Sequence, residues 1–249
     1  MLHYTTEGTG NSVVFLHGFM ENSNIWNSFI SEFSKTFQVI TIDLPGHGKS
    51  ESNQDINTIE IMAEKVIEVL EFLKISNATF IGHSMGGYVS LAIAEGYPQF
   101  VNKVVLVNST SLPDNKEKKE QRLKVIPTIQ KNYPLFVRLS IPMLFAEELK
   151  IQLENEINEL KNIALENSVK GIEAALRGMR ERPDRTHVFY DIDKPFLIIN
   201  GSKDSTIDVD LFETVIPEKE NIKVEKLDCG HVAFIEQREE FIKILSSFL

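Results

Sequence analysis

Short apolar runs alternate along the chain with longer stretches of helical periodicity, and this alternation limits the folds open to the chain. The runs are apolar at nearly every position rather than at every second one, which is typical of strands buried on both faces. Between residues 58 and 75, apolar side chains instead recur every three or four positions, as in an amphipathic helix. The alternation predicts an α/β fold with a mostly parallel sheet covered by helices. The predicted strands are SVVFLHG (12–18), FQVITIDLPG (37–46), ATFIGHS (78–84), KVVLVNS (103–109), KPFLIINGS (194–202) and IKVEKLDCG (222–230).

One long segment contains no convincing strand. From about Ser111 to His187 the pattern is helical almost throughout, and prolines divide its first part into short pieces. We expect this segment to be a helical cap inserted between two strands of the sheet. The predicted division is a core of residues 1–110 and 188–249 and a cap of residues 111–187.

Charge and composition argue against several classes of function. The chain has 249 residues and a formal net charge of −10, which disfavours binding to nucleic acid because phosphate contacts need clustered lysines and arginines. No apolar run reaches the length of a membrane span, and the first ten residues lack the pattern of a signal peptide. The single cysteine, Cys229, has no disulfide partner within the chain, which is compatible with the cytoplasmic location that we expect.

The stretch IGHSMGGY (81–88) places one serine among glycines, between a predicted strand and a predicted helix. Its centre fits G-x-S-x-G, the nucleophile-elbow pattern, in the strand–turn–helix context that the pattern requires. The glycines alone are explained equally well by a tight turn. Ser84 therefore needs a base and an orienting acid before it qualifies as a nucleophile.

The chain has six histidines that are candidates for the base. His231 follows the last predicted strand in DCGHVAF, and we expect it to take the proton of Ser84; an ordinary loop histidine is the alternative. For the others we expect surface, loop-packing or structural roles: His3, His17, His47, His83 and His187.

The base needs a carboxylate to orient it, and Asp204 is the candidate. It lies in IINGSKDSTI, in a turn directly after a predicted strand, whereas the next two aspartates suit a helix N-terminus. Asp228 is too close to His231 in the chain to reach round its ring. The predicted triad is therefore Ser84, Asp204 and His231.

Other residues are candidates for binding the substrate. The backbone N–H groups of Phe19, in HGFM after a strand, and of Met85 are predicted to form an oxyanion hole. Apolar residues predict a mainly apolar acyl pocket, although each of those on the insertion serves equally well to pack the cap on the core. These pocket candidates are Met20, Phe136, Leu139, Met143, Leu144, Phe145 and Val232. The four arginines from Arg177 to Arg185 either bind a substrate carboxylate or phosphate or form surface salt bridges, which is the commoner role.

The motifs FLHGF, DLPGHGKS, GHSMGG, NGSKD and GH before Val232 resemble those of the α/β-hydrolase superfamily, over essentially the whole chain outside the insertion. The chain order Ser, Asp, His is also the order of that superfamily. The resemblance implies a sheet of about eight strands with helices on both faces, a helical cap, no metal and no cofactor. A serine at position 84 argues against the dehalogenase and epoxide hydrolase branches, whose nucleophile is aspartate.

The resulting expectation is a serine hydrolase that cleaves a carboxylic ester or thioester of a small acyl substrate through an acyl-enzyme. One alternative is a carbon–carbon bond hydrolase or lyase that uses the same triad on a small charged substrate. Another is a receptor or scaffold that keeps the fold without turnover. The motifs do not choose among acyl groups and do not predict an oligomeric state.

Overall fold

The computed structural model describes all residues from 1 to 249 and contains one seven-stranded sheet in the order β1-β3-β2-β4-β5-β6-β7. The edge strand β1 runs antiparallel to β3, and every other pair is parallel. The predicted α/β architecture is confirmed, with one strand fewer than the eight or so expected. The strands are β1 (Tyr4–Glu7), β2 (Ser12–Leu16), β3 (Gln38–Ile42), β4 (Ala78–His83), β5 (Val101–Val107), β6 (Phe196–Gly201) and β7 (Ile222–Leu227).

Eleven α-helices and several short 3₁₀ turns connect these strands. The central strands β4 and β6 are buried at every position, which explains why their sequences do not alternate. The helices are α1 (Asn27–Phe33), α2 (Ile59–Phe72), α3 (Met85–Gly96), α4 (Lys116–Lys124), α5 (Ile126–Ser140), α6 (Glu154–Leu165), α7 (Val169–Glu181), α8 (Val188–Asp191), α9 (Val209–Glu213), α10 (Ala233–Glu236) and α11 (Arg238–Phe248).

Only helices and turns lie between β5 and β6, along the segment that was predicted to be an insertion. Helix α5 is kinked at Asn132, two residues before Pro134, because proline cannot donate to the helix and crowds the preceding turn. Helix α7 packs directly on the loop after β3. A Cβ atom on Gly171 would lie 1.9 Å from the Gly46 carbonyl oxygen, so only glycine permits this approach of the two backbones.

Because β2, β4, β5, β6 and β7 are parallel, their carboxyl ends share one edge of the sheet. The loops that leave this edge carry most of the candidate site. No helix is both long and apolar enough to cross a bilayer. The structure contains no group of three or more His, Cys, Asp or Glu side chains arranged to hold a metal ion.

Candidate active site

Ser84 sits at the turn between β4 and α3 in a strained backbone conformation. Its φ is 48° and its ψ is −112°, outside the regions that side-chain-bearing residues usually occupy. Such strain persists only where the surrounding structure enforces it. Here the Ser84 carbonyl accepts a hydrogen bond from the Ser109 hydroxyl at 2.8 Å, and the Ser84 N–H donates to the Val107 carbonyl at 2.9 Å. Contacts to β5 and its following loop thus hold the turn.

Gly86 allows the turn to lie against β2, and we expect Gly86→Ala to destabilise the protein. A Cβ atom at this position would lie 2.4 Å from the Leu16 carbonyl oxygen, which belongs to the backbone of a central strand. Overpacking of this kind lowers the free energy of unfolding by about 1–3 kcal/mol, measurable by urea denaturation. Gly96→Ala, at the other end of α3 where nothing lies within 4 Å, is the control. Equal stability of both variants and the native protein would contradict this prediction.

The structure brings the three predicted triad residues together at the carboxyl edge. His231 Nε2 lies 2.9 Å from Ser84 Oγ, and His231 Nδ1 lies 2.7 Å from Asp204 Oδ2. The side chains of His231 and Asp204 are buried. A hydroxyl, an imidazole and a carboxylate in this order can transfer a proton from the hydroxyl to the ring while the carboxylate stabilises the resulting charge.

The surroundings of Asp204 keep it ionised. Burial by itself raises the pKa of this carboxyl group, but the adjacent His231 and two backbone N–H donors outweigh it and lower the pKa below its ordinary value. Those donors are Thr206 N–H at 2.8 Å and Ile207 N–H at 3.1 Å, both to Oδ1. Asp204 is therefore an acceptor for His231 at neutral pH.

Asn108 joins the loops that carry the acid and the base, a role that sequence reasoning missed. Its side-chain NH₂ donates to Asp204 Oδ2 at 3.1 Å and to the Gly230 carbonyl at 3.0 Å. Its amide oxygen accepts from Ala233 N–H at 3.2 Å. A positive φ of 45°, which asparagine tolerates better than most residues, directs the chain here as β5 ends.

Two backbone N–H groups, in the loop after β2 and at the start of α3, have no acceptor within the chain. Neither the Phe19 N–H nor the Met85 N–H donates a hydrogen bond within the chain. Met85 is the first residue of α3, where N–H groups have no intrahelical acceptor and the helix dipole favours negative charge. These are the two donors predicted from the sequence.

A buried ion pair, Glu21–His83, connects the loop after β2 to the backbone of His231. Glu21 Oε2 accepts from Gly18 N–H at 2.5 Å and from His83 Nδ1–H at 2.8 Å. His83 Nε2–H donates to the His231 carbonyl oxygen at 2.9 Å. Both ring nitrogens donate, so His83 is an imidazolium. Burial alone would lower the pKa of His83, but the Glu21 carboxylate and the two acceptors outweigh burial and raise it.

Because of this pair, we expect Glu21→Gln to change the pH dependence of stability. The raised pKa of His83 stabilises the fold below its ordinary value of 6.5, and this contribution is lost as pH rises through the raised pKa. The pKa of Glu21 is lowered despite burial, mainly by His83, so its contribution is present above 4.5 and is lost as pH falls through the lowered pKa.

The stability difference between the native protein and Glu21→Gln should therefore be largest between pH 4.5 and 6.5, the two ordinary values. Breaking a buried pair lowers the free energy of unfolding by about 3–5 kcal/mol. This deficit should shrink as pH rises through the raised pKa of His83. Urea denaturation across a pH series measures it, with the exposed Glu51→Gln as the matched control. A deficit independent of pH would refute the charged state of His83.

The remaining histidines lie outside the hydrogen-bonded triad. His17 Nδ1–H donates to the Gly18 carbonyl at 2.8 Å and its Nε2 accepts from Leu44 N–H at 2.9 Å, so the ring connects the loop after β2 to the loop after β3. Burial lowers the pKa of His17, and it lowers that of His47 to about 3. Both rings are neutral, in agreement with structural roles. His187 lies at the surface beside Glu95.

The structure does not place all the predicted pocket residues in an enclosed pocket. Leu139 and Met143 are 60% and 65% exposed, so neither side chain is enclosed in a pocket. Met20, Phe145 and Val232 are buried, whereas Phe136 and Leu144 are half-buried against the core. The sequence shows that these residues are apolar. It does not show which side of a short helix or turn is buried.

A separate cavity of about 630 Å³ opens between α6 and the chain around α1 and α10. Its apolar lining includes Leu160 and Phe234, and the Phe234 ring lies 5.0 Å from that of His83. No triad residue lines this cavity. None of the residues predicted to form the acyl pocket lines it either.

Comparison with known proteins identifies the family to which this site and fold belong. The model of the alpha/beta hydrolase fold family matches residues 11–150, and the chain belongs to that family. It is similar to 2-hydroxy-6-oxononadienedioate/2-hydroxy-6-oxononatrienedioate hydrolase of Burkholderia vietnamiensis, with 31% identity over 100% of this chain and 90% of the relative.

Two further relatives are esterases, and the structure of one of them is known. The pimeloyl-[acyl-carrier protein] methyl ester esterase of Wigglesworthia glossinidia brevipalpis is 28% identical over 97% of this chain and 95% of its own. The structure of a thermophilic esterase from Thermogutta terrifontis superimposes with a TM-score of 0.93 at 28% identity, covering 99% of this chain and 92% of that one. The protein is accordingly an α/β-hydrolase enzyme.

Proposed function

We propose that this enzyme hydrolyses a carboxylic ester or thioester through an acyl-enzyme on Ser84. The observation that carries the proposal is the continuous hydrogen-bond chain from Ser84 Oγ through His231 to Asp204 Oδ2, with links of 2.9 and 2.7 Å. Esterases among the relatives support the reaction type. A strained serine, a base and an oriented acid in this order form the arrangement that acyl transfer needs.

In the proposed first half-reaction, Ser84 Oγ attacks the acyl carbonyl carbon as its proton passes to His231 Nε2. The negative charge that develops on the carbonyl oxygen is held by the Phe19 and Met85 N–H groups. Asp204 stabilises the imidazolium of His231, which then protonates the departing alcohol or thiol. The carbonyl re-forms as the bond to the leaving group breaks, and the acyl group remains on Ser84.

In the second half-reaction, His231 takes a proton from water, and the resulting hydroxide equivalent attacks the acyl-enzyme. The same two N–H groups hold the second oxyanion. His231 then returns the proton to Ser84 Oγ, which releases the carboxylic acid and the free enzyme. No group beyond these residues and water is needed to balance the reaction.

A second candidate is the hydrolysis of a carbon–carbon bond in a small charged substrate. The relative from Burkholderia vietnamiensis, 31% identical over the whole chain, favours it, since its name describes a hydrolase of a dienedioate. The same Ser84 and His231 would then act chiefly on protons. Carbon–carbon cleavage depends on a carbanion-stabilising group in the substrate, whereas esters need none.

A panel of p-nitrophenyl esters of increasing acyl length separates the two candidates. We expect turnover of short esters together with stoichiometric labelling by a fluorophosphonate. Labelling without turnover of any ester or thioester would favour carbon–carbon cleavage. Absence of both would refute the role of Ser84 as a nucleophile.

We also propose that residues 111–187 form a cap over the site and that the protein works in the cytoplasm. The cap is supported by the position of α7 against the loop after β3 and by the Leu144 carbonyl, which accepts from His231 N–H at 2.7 Å.

The cytoplasmic location is supported by Cys229, a buried free thiol whose pKa is raised by burial to about 12. Such a thiol is unreactive and forms no disulfide.

A further inference from the structure

A group of charged side chains, here called the cation cluster, lies beside α3, the helix that follows Ser84. It consists of Asp114, whose buried carboxylate pairs with Arg122 and Arg182, and of Lys118, which lies one turn before Arg122 on α4. Arg182 Nη1 donates to Asp114 Oδ1 at 2.7 Å, and Arg122 Nη2 donates to the same oxygen at 3.1 Å. Arg122 Nε also donates to Asp114 Oδ2. One carboxylate thus holds two guanidinium groups.

The cation cluster carries more positive than negative charge. Lys118 is half-buried and has neither an ion pair nor a side-chain hydrogen bond with the chain. Burial and the two neighbouring guanidinium groups lower the pKa of Lys118, against the opposing effect of Asp114. Buried cations are normally balanced by anions, and this imbalance stands out in a chain with a net charge of −10.

The other arginines predicted as anion-binding candidates do not belong to the cation cluster. Arg185 is paired with both Glu60 and Glu95, and Arg180 is paired with Glu181, as expected of salt bridges. Arg177 lines a shallow surface cavity away from the triad. Only Arg182 among these four belongs to the cation cluster.

Contacts through Tyr88 connect the cation cluster to the candidate active site. The Arg182 guanidinium stacks on the Tyr88 ring at 4.1 Å, and Tyr88 N–H donates to the Ser84 carbonyl at 3.3 Å. Arg182 Nε donates to the Leu112 carbonyl at 3.2 Å, in the segment that follows β5. The charge of Asp204 also acts on the Lys118 ammonium. Tyr88, one helical turn after the nucleophile, therefore contacts both Arg182 of the cation cluster and the backbone of Ser84.

We propose that the cation cluster binds a carboxylate carried by the substrate at a distance from the ester bond, with Lys118 as its direct donor. The inference rests on the proposed esterase function and specifies its substrate class: esters that bear a free carboxylate. Asp114 fixes the two arginines, while the ammonium of Lys118 has donors to spare. A substrate carboxylate would supply the missing negative charge.

The test compares esters that differ only in this charge. Methyl half-esters of adipic and suberic acids carry the carboxylate on the acyl side, and acetate esters of hydroxy acids carry it on the alcohol side. Neutral esters of matched length serve as references. The enzyme should favour one anionic series by about tenfold or more in kcat/KM, because a hydrogen bond to a charged group is among the stronger ones. The favoured series identifies the side that reaches the cation cluster.

Lys118→Met should remove most of that preference, because kcat/KM for the anionic esters should fall by a much larger factor than kcat/KM for the neutral ones. Lys116→Met, an exposed lysine on the same helix, is the matched control and should keep the preference. Equal rates for anionic and neutral esters in the native enzyme, or an equal loss for both in Lys118→Met, would overturn the inference alone. Failure of every ester, charged or neutral, would refute the proposed esterase function and this inference with it.

Discussion

Replacing Ser84 with alanine is expected to lower kcat for ester hydrolysis by roughly a million-fold, as loss of the nucleophile does in other serine hydrolases. The reason is that no other hydroxyl is hydrogen-bonded to His231 Nε2, which lies 2.9 Å from Ser84 Oγ. Steady-state kinetics with p-nitrophenyl acetate measure the change. Background hydrolysis by the oxyanion donors and by water sets the floor.

Ser109→Ala is a useful comparison for this variant. Ser109 contacts the Ser84 carbonyl through its hydroxyl at 2.8 Å but does not contact His231. The Ser109→Ala variant should lose activity only as far as loss of this hydrogen bond changes the conformation of the turn. If Ser84→Ala retained native turnover while its circular dichroism spectrum and stability were unchanged, the proposed mechanism would be wrong.

Replacing Asp204 with asparagine is expected to lower kcat by about ten-thousand-fold, because an amide NH₂ facing His231 Nδ1 favours the wrong tautomer of the ring. The Asp204 side chain is fully buried and accepts hydrogen bonds from two backbone N–H groups, so the replaced group stays in place. The loss should appear in kcat at all pH values where the native enzyme is active. Kinetics across a pH series provide the measurement.

Asp228→Asn makes the same chemical change in the other aspartate near His231 in the sequence. Asp228 is exposed and is paired with Lys203 at 2.7 Å, so its replacement should leave kcat unchanged. Comparable losses in the two variants would show that the orienting role does not belong to Asp204 specifically.

The sequence was sufficient to predict six of the seven strands, all except the antiparallel edge strand β1, and the three residues that the structure brings together. Strands β4 and β6 are apolar at nearly every position because they are buried on both faces, which leaves a pattern that can be read locally. Ser84 and Asp204 follow these strands directly, and parallel strands bring their carboxyl ends to one edge. A residue that follows a predicted strand is therefore placed without knowledge of long-range contacts.

The supporting residues could not be found in this way. Glu21 and His83 are 62 positions apart and meet only after folding, and Glu21 lies in a loop with no periodic pattern. Asn108 acts through its side-chain amide, a group whose partners the sequence does not indicate. The exposed Leu139 and Met143 illustrate the converse, since apolar character alone does not reveal which face of the insertion meets the substrate.

In the proposed mechanism, Ser84 carries the acyl group during turnover. Acid-quenched mass spectrometry of the enzyme during steady-state turnover of p-nitrophenyl acetate, followed by peptide mapping, measures this directly. We expect one acetyl group per chain, located on Ser84, together with a burst of p-nitrophenol. We also expect Asp204→Asn to form the same adduct much more slowly. Turnover without any adduct, or an adduct on another residue, would contradict the mechanism.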